Sequence, residues 1–190
     1  NKTINWFKGD KAILIGLYPT VDGDNITKID STQLHLINHM KELGLNEVRI
    51  MNLYSEVFDR KPTTSQLTYD KDNFEYITQA VNTAGEYKLI IAYGSSHSSN
   101  KTTNTLKKNL LEAISNSKAK DKVYQISSEY IDRIGSDPTH VLYLGLRHGD
   151  ERWNLVPLDV NDEMLKISAR LVEKNSDDNT VKRRIRKKQD

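Results

Sequence analysis

"KAILIGLYPT", Lys11–Thr20, decides the fold. Its apolar run is interrupted by Gly16 and stopped by Pro19, and it lacks the polar alternation of a half-exposed strand. A short continuous run of this kind is a strand covered on both faces. Three more segments have the same character: "NEVRIMNLY" (Asn46–Tyr54), "YKLIIAYG" (Tyr87–Gly94) and "DKVYQIS" (Asp121–Ser127). Helical patterns lie between them. Asp30 or Ser31 caps a helix running to Leu43, with Leu34, Ile37, Met40 and Leu43 near helical spacing and Gly44 as its stop. Asp70 or Asp72 opens a second helix through Phe74, Ile77 and Val81 to Gly85, and Leu106, Leu110, Leu111 and Ile114 mark a third. The alternation predicts an α/β fold of three αβα layers around a mainly parallel four-stranded sheet. After Ser127 the pattern loosens. "SDPTHVLYLGLRHGDERW" (Ser136–Trp153) reads as a turn, a short apolar run and a charged loop, and Met164–Val172 as a last helix. Residues 1–175 are expected to form one domain, followed by a basic tail over 176–190.

The totals exclude several functions. With 36% hydrophobic residues and 28% charged ones, the chain fits a soluble domain with a modest core. No apolar run approaches the roughly 20 residues of a membrane span, and no signal-peptide pattern opens the chain. The absence of cysteine removes disulfides, thiolate catalysis and thiolate-ligated zinc, and with the rest predicts a cytoplasmic protein. The net charge of +2 conceals an asymmetry. "KRRIRKKQD" (182–190) holds six basic residues and one Asp, a net +5, which leaves the remainder at −3. A terminal basic run is attracted to polyanions, nucleic acid above all.

In open α/β sheets, ligands bind beyond the C-terminal ends of the strands. The sequence puts Gly16-Leu17-Tyr18-Pro19-Thr20, Asn52-Leu53-Tyr54 and Tyr93-Gly94-Ser95-Ser96 there, with Thr139-His140 heading the later stretch. An asparagine can read a base edge as both donor and acceptor. Aromatic rings can stack on the base, and a neutral histidine can donate to a carbonyl gaining negative charge. Each residue alone has a structural explanation: Asn52 as a turn residue, Tyr18, Tyr54 and Tyr93 as rim packing, His140 as a satisfied structural histidine. Gathered on one edge, they argue for a site. His35 and His39 are spaced to share a metal, but the helix lacks the glutamate of a zinc protease and no third ligand is evident, so no metal is expected. "GSSHSS" (Gly94–Ser99) has the composition but not the glycine and lysine placement of a phosphate-binding loop; its hydroxyls suit DNA phosphates.

The ordered set "IGLYPT", "VRIMNLY", "LIIAYG", "THVLYL" resembles the motif order of the uracil-DNA glycosylase superfamily. It also resembles an uncharacterised bacterial family, frequent on mobile elements, whose first motif reads Leu-Asn-Pro-Ser. The resemblance spans Ala12 to Trp153. It implies a uracil-DNA-glycosylase-like fold and a monofunctional, cofactor-free, monomeric enzyme that flips uracil from single- or double-stranded DNA and hydrolyses its N-glycosidic bond. It assigns catalysis to His140, Asn52 and Tyr18, and substrate contacts to Gly16, Leu17, Pro19, Thr20, Tyr54, Tyr93 and Ser95. DNA contacts fall to Ser96, His97, Leu146, Arg147, His148 and Arg152, with Leu146 or Arg147 as the wedge of a loop from Leu144 to Trp153. Tyr18 stands where the superfamily has the Asp or Asn that positions water. Asp22 and Asp24 are the nearby carboxylates that could replace it, and activity is expected to be weak. Two alternatives stay open. One is a catalytically degenerate protein that binds DNA or a DNA-mimicking glycosylase inhibitor. The other is a different α/β hydrolase acting on nucleotides or nucleosides at the same rim.

Overall fold

The first apolar run becomes an inner strand of a six-stranded sheet. The computed structural model describes residues 2–5, 8–21, 28–131 and 137–172; Asp22, Asp24 and the basic tail lie outside them. The strands are β1 (Lys2–Asn5), β2 (Asp10–Gly16), β3 (Leu45–Asn52), β4 (Lys88–Ile91), β5 (Val123–Ser128) and β6 (Trp153–Pro157), in the order β1-β3-β2-β4-β5-β6. The four inner strands are parallel and are the four expected from the sequence. Among the described residues the expected count is corrected to six, because β1 and β6 add antiparallel edges to β3 and β5.

Between the strands lie α1 (Ser31–His39), α2 (Lys71–Thr83), α3 (Lys101–Ser115) and α4 (Val141–His148), and α5 (residues 160–172) follows β6. Asp30, Asp70 and Asn100 cap the first three, accepting from the backbone N–H of Gln33, Asn73 and Thr103 at 2.7, 3.0 and 2.7 Å. Alternate residues of each inner strand enter different cores. Ile13, Ile15, Leu89 and Ile91 pack with Ile77, Val81, Leu110, Ile114 and Ile167 from α2, α3 and α5. Ala12, Leu14, Ile90 and Ala92 pack with Leu36, Met40, Val141 and Leu144 from α1, its C-terminal turn and α4. The continuous apolar runs thus arise because both sheet faces are covered.

Two local expectations are corrected. On α1 the inward residue is Leu36, fully buried, while Leu34 is half exposed. The apolar run after His140 and the start of the charged loop form one helix, Val141–His148. Val141 and Leu144, three residues apart, share its buried side, and only Trp153 onward returns to the sheet.

Candidate functional site

In the chain's path, β2 leads through α1 to β3, then β3 leads through α2 across β2 to β4. The direction of winding therefore reverses between the two neighbours of β2, the topological switch where α/β sheets open a crevice. A cavity of about 260 Å³ sits at the C-terminal ends of these strands. Its walls include Gly16 at the end of β2, Tyr18, Pro19 and Thr20 beyond it, Asn52 at the end of β3 and Tyr54 beyond it, Ala92 after β4, and His140. Sequence-distant segments therefore meet in one space.

Two glycines permit this. Gly16 pairs with Asn52 across β2 and β3, and a Cβ at Gly16 would stand 2.5 Å from Asn52 Oδ1. The missing side chain gives the amide its place. Gly94 has φ of +66°, and a Cβ there would lie 2.9 Å from the Cβ of His140. Asn73, at the start of α2, fixes the end of β3 by donating to the carbonyls of Asn52 and Leu53 at 3.0 and 3.2 Å.

His140 is the N-cap of α4. Its Nδ1 accepts from the Leu142 N–H at 3.1 Å, which puts the proton of the neutral ring on Nε2. Burial lowers its pKa and the nearby Asp30 carboxylate raises it, with burial prevailing. The ring is therefore a neutral donor at physiological pH. Asp30 lines the same cavity. One of its oxygens caps α1 and the other accepts from the Thr20 hydroxyl. A carboxylate has about four lone-pair positions, so both oxygens retain accepting capacity. Burial raises the pKa of Tyr18, so its phenol keeps its proton. The Tyr18 ring meets Phe58 edge-on at 5.9 Å and His97 at 6.3 Å. Leu14, Ile50 and Val141 give the cavity an apolar floor.

Asp30 is the functional candidate that sequence reasoning used only as a cap. A signal was present: in a parallel sheet, the helix leaving a strand starts at that strand's C-terminal end, so an acidic cap on α1 must stand at the rim.

Other expected residues lie elsewhere. Leu17 is buried in the α2/α3 core and is absent from the cavity wall. Tyr93 is fully buried on that same side and donates to Glu163 at 3.0 Å, because strand alternation turns it away from the cavity. Tyr54 lines the cavity, but its hydroxyl is bonded to Thr103 at 2.9 Å. Ser95 and Ser96 sit in the turn after β4, outside the cavity wall. His97 meets the site's Tyr18 ring; burial, then the charges of Lys61 and Lys107, lower its pKa. The wedge loop is corrected as well. Leu146, Arg147 and His148 are the last turn of α4, about 9–12 Å along the helix from its N-cap at 1.5 Å per residue. Arg152 lies in the turn beyond them. His148 is paired with Glu151 at 2.8 Å. His39 stacks on Trp153 with centroids 3.7 Å apart, and the His35 ring abuts Gly145. Among the described residues no group of three or more His, Cys, Asp or Glu is placed to hold a metal, and no helix is long and apolar enough to cross a membrane.

Comparison with known proteins corrects the resemblance to uracil-DNA glycosylases. A family model matches residues 4–140, it is that of an uncharacterised family, and no glycosylase family is detected. The short motifs that carried the resemblance mark strand ends, which any sheet wound in this order brings together, and the Tyr93 of one such motif faces away from the cavity. No curated protein and no solved structure matches the chain. The matched segment contains Gly16, Asp30, Asn52 and His140, and with more than half of its residues covered the chain belongs to the family described as Protein of unknown function (DUF1643).

Proposed function

We propose that the cavity takes one pyrimidine base swung out of a DNA strand, and that the chain hydrolyses the base's N-glycosidic bond, with uracil as the base. The observation supporting this is the convergence of a neutral imidazole donor, a primary amide and a carboxylate, from His140, Asn52 and Asp30, on one small space. About 260 Å³ is less than the pockets that enclose drug-sized ligands. It suits a single ring, with sugar and phosphates left at the mouth.

The chemistry follows from these groups. As the C1′–N1 bond lengthens, its electron pair moves onto the pyrimidine, and O2 becomes negative. His140 donates to that oxygen from Nε2. Asn52 accepts from N3–H and donates to O4, a pairing that cytosine would leave unsatisfied. The sugar acquires oxocarbenium character. A water oxygen bonds to C1′ as its proton passes to Asp30, leaving an abasic deoxyribose and a base anion that takes a proton from solvent. Protonated Tyr18 serves as a ring wall, not as the base in this step.

The test is cleavage of abasic sites in single- and double-stranded oligonucleotides carrying one uracil, with free deoxyuridine in parallel. Abasic sites in the oligonucleotide that disappear with His140→Gln are expected. Deoxyuridine cleavage alone would make the chain a nucleoside hydrolase, and DNA binding without base release at stoichiometric protein would make it a binding protein; either result overturns the proposal.

A further inference from the structure

Behind the cavity, on the other face of the sheet, lies a group of buried charges. Lys107 projects from the middle of α3 among Leu106, Leu110 and Leu111 and has no solvent exposure. Its ammonium donates to the Gly94 carbonyl at 2.8 Å and stands 4.2 Å from the centroid of the Tyr93 ring. Glu163 of α5, also fully buried, accepts from Tyr93, and Lys166 approaches its other oxygen at 3.7 Å. Asp137 is paired through both oxygens with Arg170 of α5, at 2.5 and 3.1 Å. Burial pushes the pKa of Lys107 down to about 8 against the opposing pull of Asp137 and Glu163.

An apolar side chain of similar length would fill this volume with less desolvation, and replacing buried ions in that way often stabilises a protein. Lysine does one thing methionine cannot. After β4 the backbone turns out of the sheet at Gly94, and its carbonyl faces the interior, where an unpaired acceptor is costly. Lys107 satisfies that carbonyl. The same glycine abuts the Cβ of His140, and Asp137 anchors the chain three residues before that histidine.

We infer that Lys107 is a positioning residue for His140: it holds the Gly94 turn against the histidine from one side while the Asp137–Arg170 pair pins the histidine's own segment from the other. The imidazole is thereby kept in the single orientation in which Nδ1 accepts from Leu142 and Nε2 keeps its proton. The consequence for base release rests on the function proposed above; the consequence for the ring does not.

The experiment compares ring-nitrogen NMR spectra of the full ¹⁵N-labelled chain with those of Lys107→Met, using His140→Gln to assign the signals. The wild-type chain is expected to show one acceptor and one protonated nitrogen. In Lys107→Met the two signals should move toward each other as the cap loosens and the tautomers mix. Lys108→Met, on the same helix but paired at the surface with Glu112, should match wild type. If Lys107→Met does not fold, Arg170→Gln, at a partly exposed position, gives the same readout. In the base-release assay, Lys107→Met should lose about 10²-fold in kcat, with KM changed by no more than about twofold. A folded variant whose His140 nitrogens superimpose on wild type overturns the inference. A wild-type chain that releases no base overturns the proposed function and leaves the ring comparison to decide this one.

Discussion

The two ends of α4 carry the same residue types and differ in what those residues have left to offer. At the N-terminal end, His140 spends one ring nitrogen on its own helix, and the other keeps a proton beside Asn52 and Asp30. At the C-terminal end a larger cleft, about 560 Å³, gathers His35, His39, His148 and Glu151. There two of the histidines are committed to neighbouring carboxylates. His39 is paired with Glu42 and stacked on Trp153 at an interplanar angle of 5°, His148 is paired with Glu151, and the His35 ring fills the space left by Gly145. A histidine-rich cleft is therefore not by itself a site. What distinguishes the smaller cavity is a neutral imidazole donor set beside an amide and a carboxylate at its wall, and that difference can be broken or sharpened by substitution.

The largest effect belongs to His140. His140→Gln replaces the fixed Nε2–H donor with a flexible carboxamide, and taking a positioned donor from a developing oxyanion costs about 10²–10³-fold in kcat. Because burial holds the ring's pKa below its ordinary value, wild-type activity should rise with pH to a plateau reached at or below neutrality. A midpoint above pH 7 would contradict the neutral-donor role. Asp30→Asn comes next. Asparagine caps helices as well as aspartate does, so α1 should remain as stable by thermal melting while base release falls about 10²-fold through loss of the proton acceptor. Equal activity in Asp30→Asn would remove Asp30 from the chemistry and leave it a cap.

That second prediction marks where the sequence is hardest to read. The inner strands were legible because burial on both faces leaves continuous apolar runs. Gly16, Asn52 and His140 were legible because a sheet of this winding brings its strand ends to one rim. Asp30 was visible only as a cap, since its place at the cavity depends on where α1 starts after the chain leaves β2. Tyr93 misled for the opposite reason. It is one residue away from Ala92, which lines the cavity, and alternation along a strand sends neighbours to opposite faces. The run after His140 is hard to assign because Val141, Leu142, Tyr143 and Leu144 suit a short buried strand as well as one face of a helix; the histidine cap decides between them, and a histidine cap is no familiar helix signal.

A smaller effect separates the two sheet faces by pH. The folded pKa of Lys107 is about 8, below the value of about 10.4 for a free lysine. Between these values the unfolded chain binds the proton that the folded chain has lost, so stability contributed by this group increases with pH there and is level below about pH 8. Relative to Lys107→Met, the wild-type chain should gain about 2–3 kcal/mol between pH 7 and 10. Parallel stability curves for the two proteins in urea would show that Lys107 stays charged.

The smallest effect returns to the other end of α4. His39 is buried, its ring lies flat on Trp153, and its Nδ1 faces Glu42, which also accepts from the Trp153 backbone N–H at 3.1 Å. His39→Ala removes a stacked pair worth about 1 kcal/mol beyond its buried area. The melting temperature should fall, because Trp153 begins β6 and closes the α1/α4 core. Base release by the folded fraction should stay within about twofold of wild type, since the position shares no partner with the cavity. The pairing of outcomes carries the comparison: at the N-terminal end of α4 activity falls while the fold holds, and at the C-terminal end stability falls while activity holds. If His39→Ala lowered kcat as His140→Gln does, the two clefts would be coupled through α4, and commitment of ring nitrogens would no longer distinguish them.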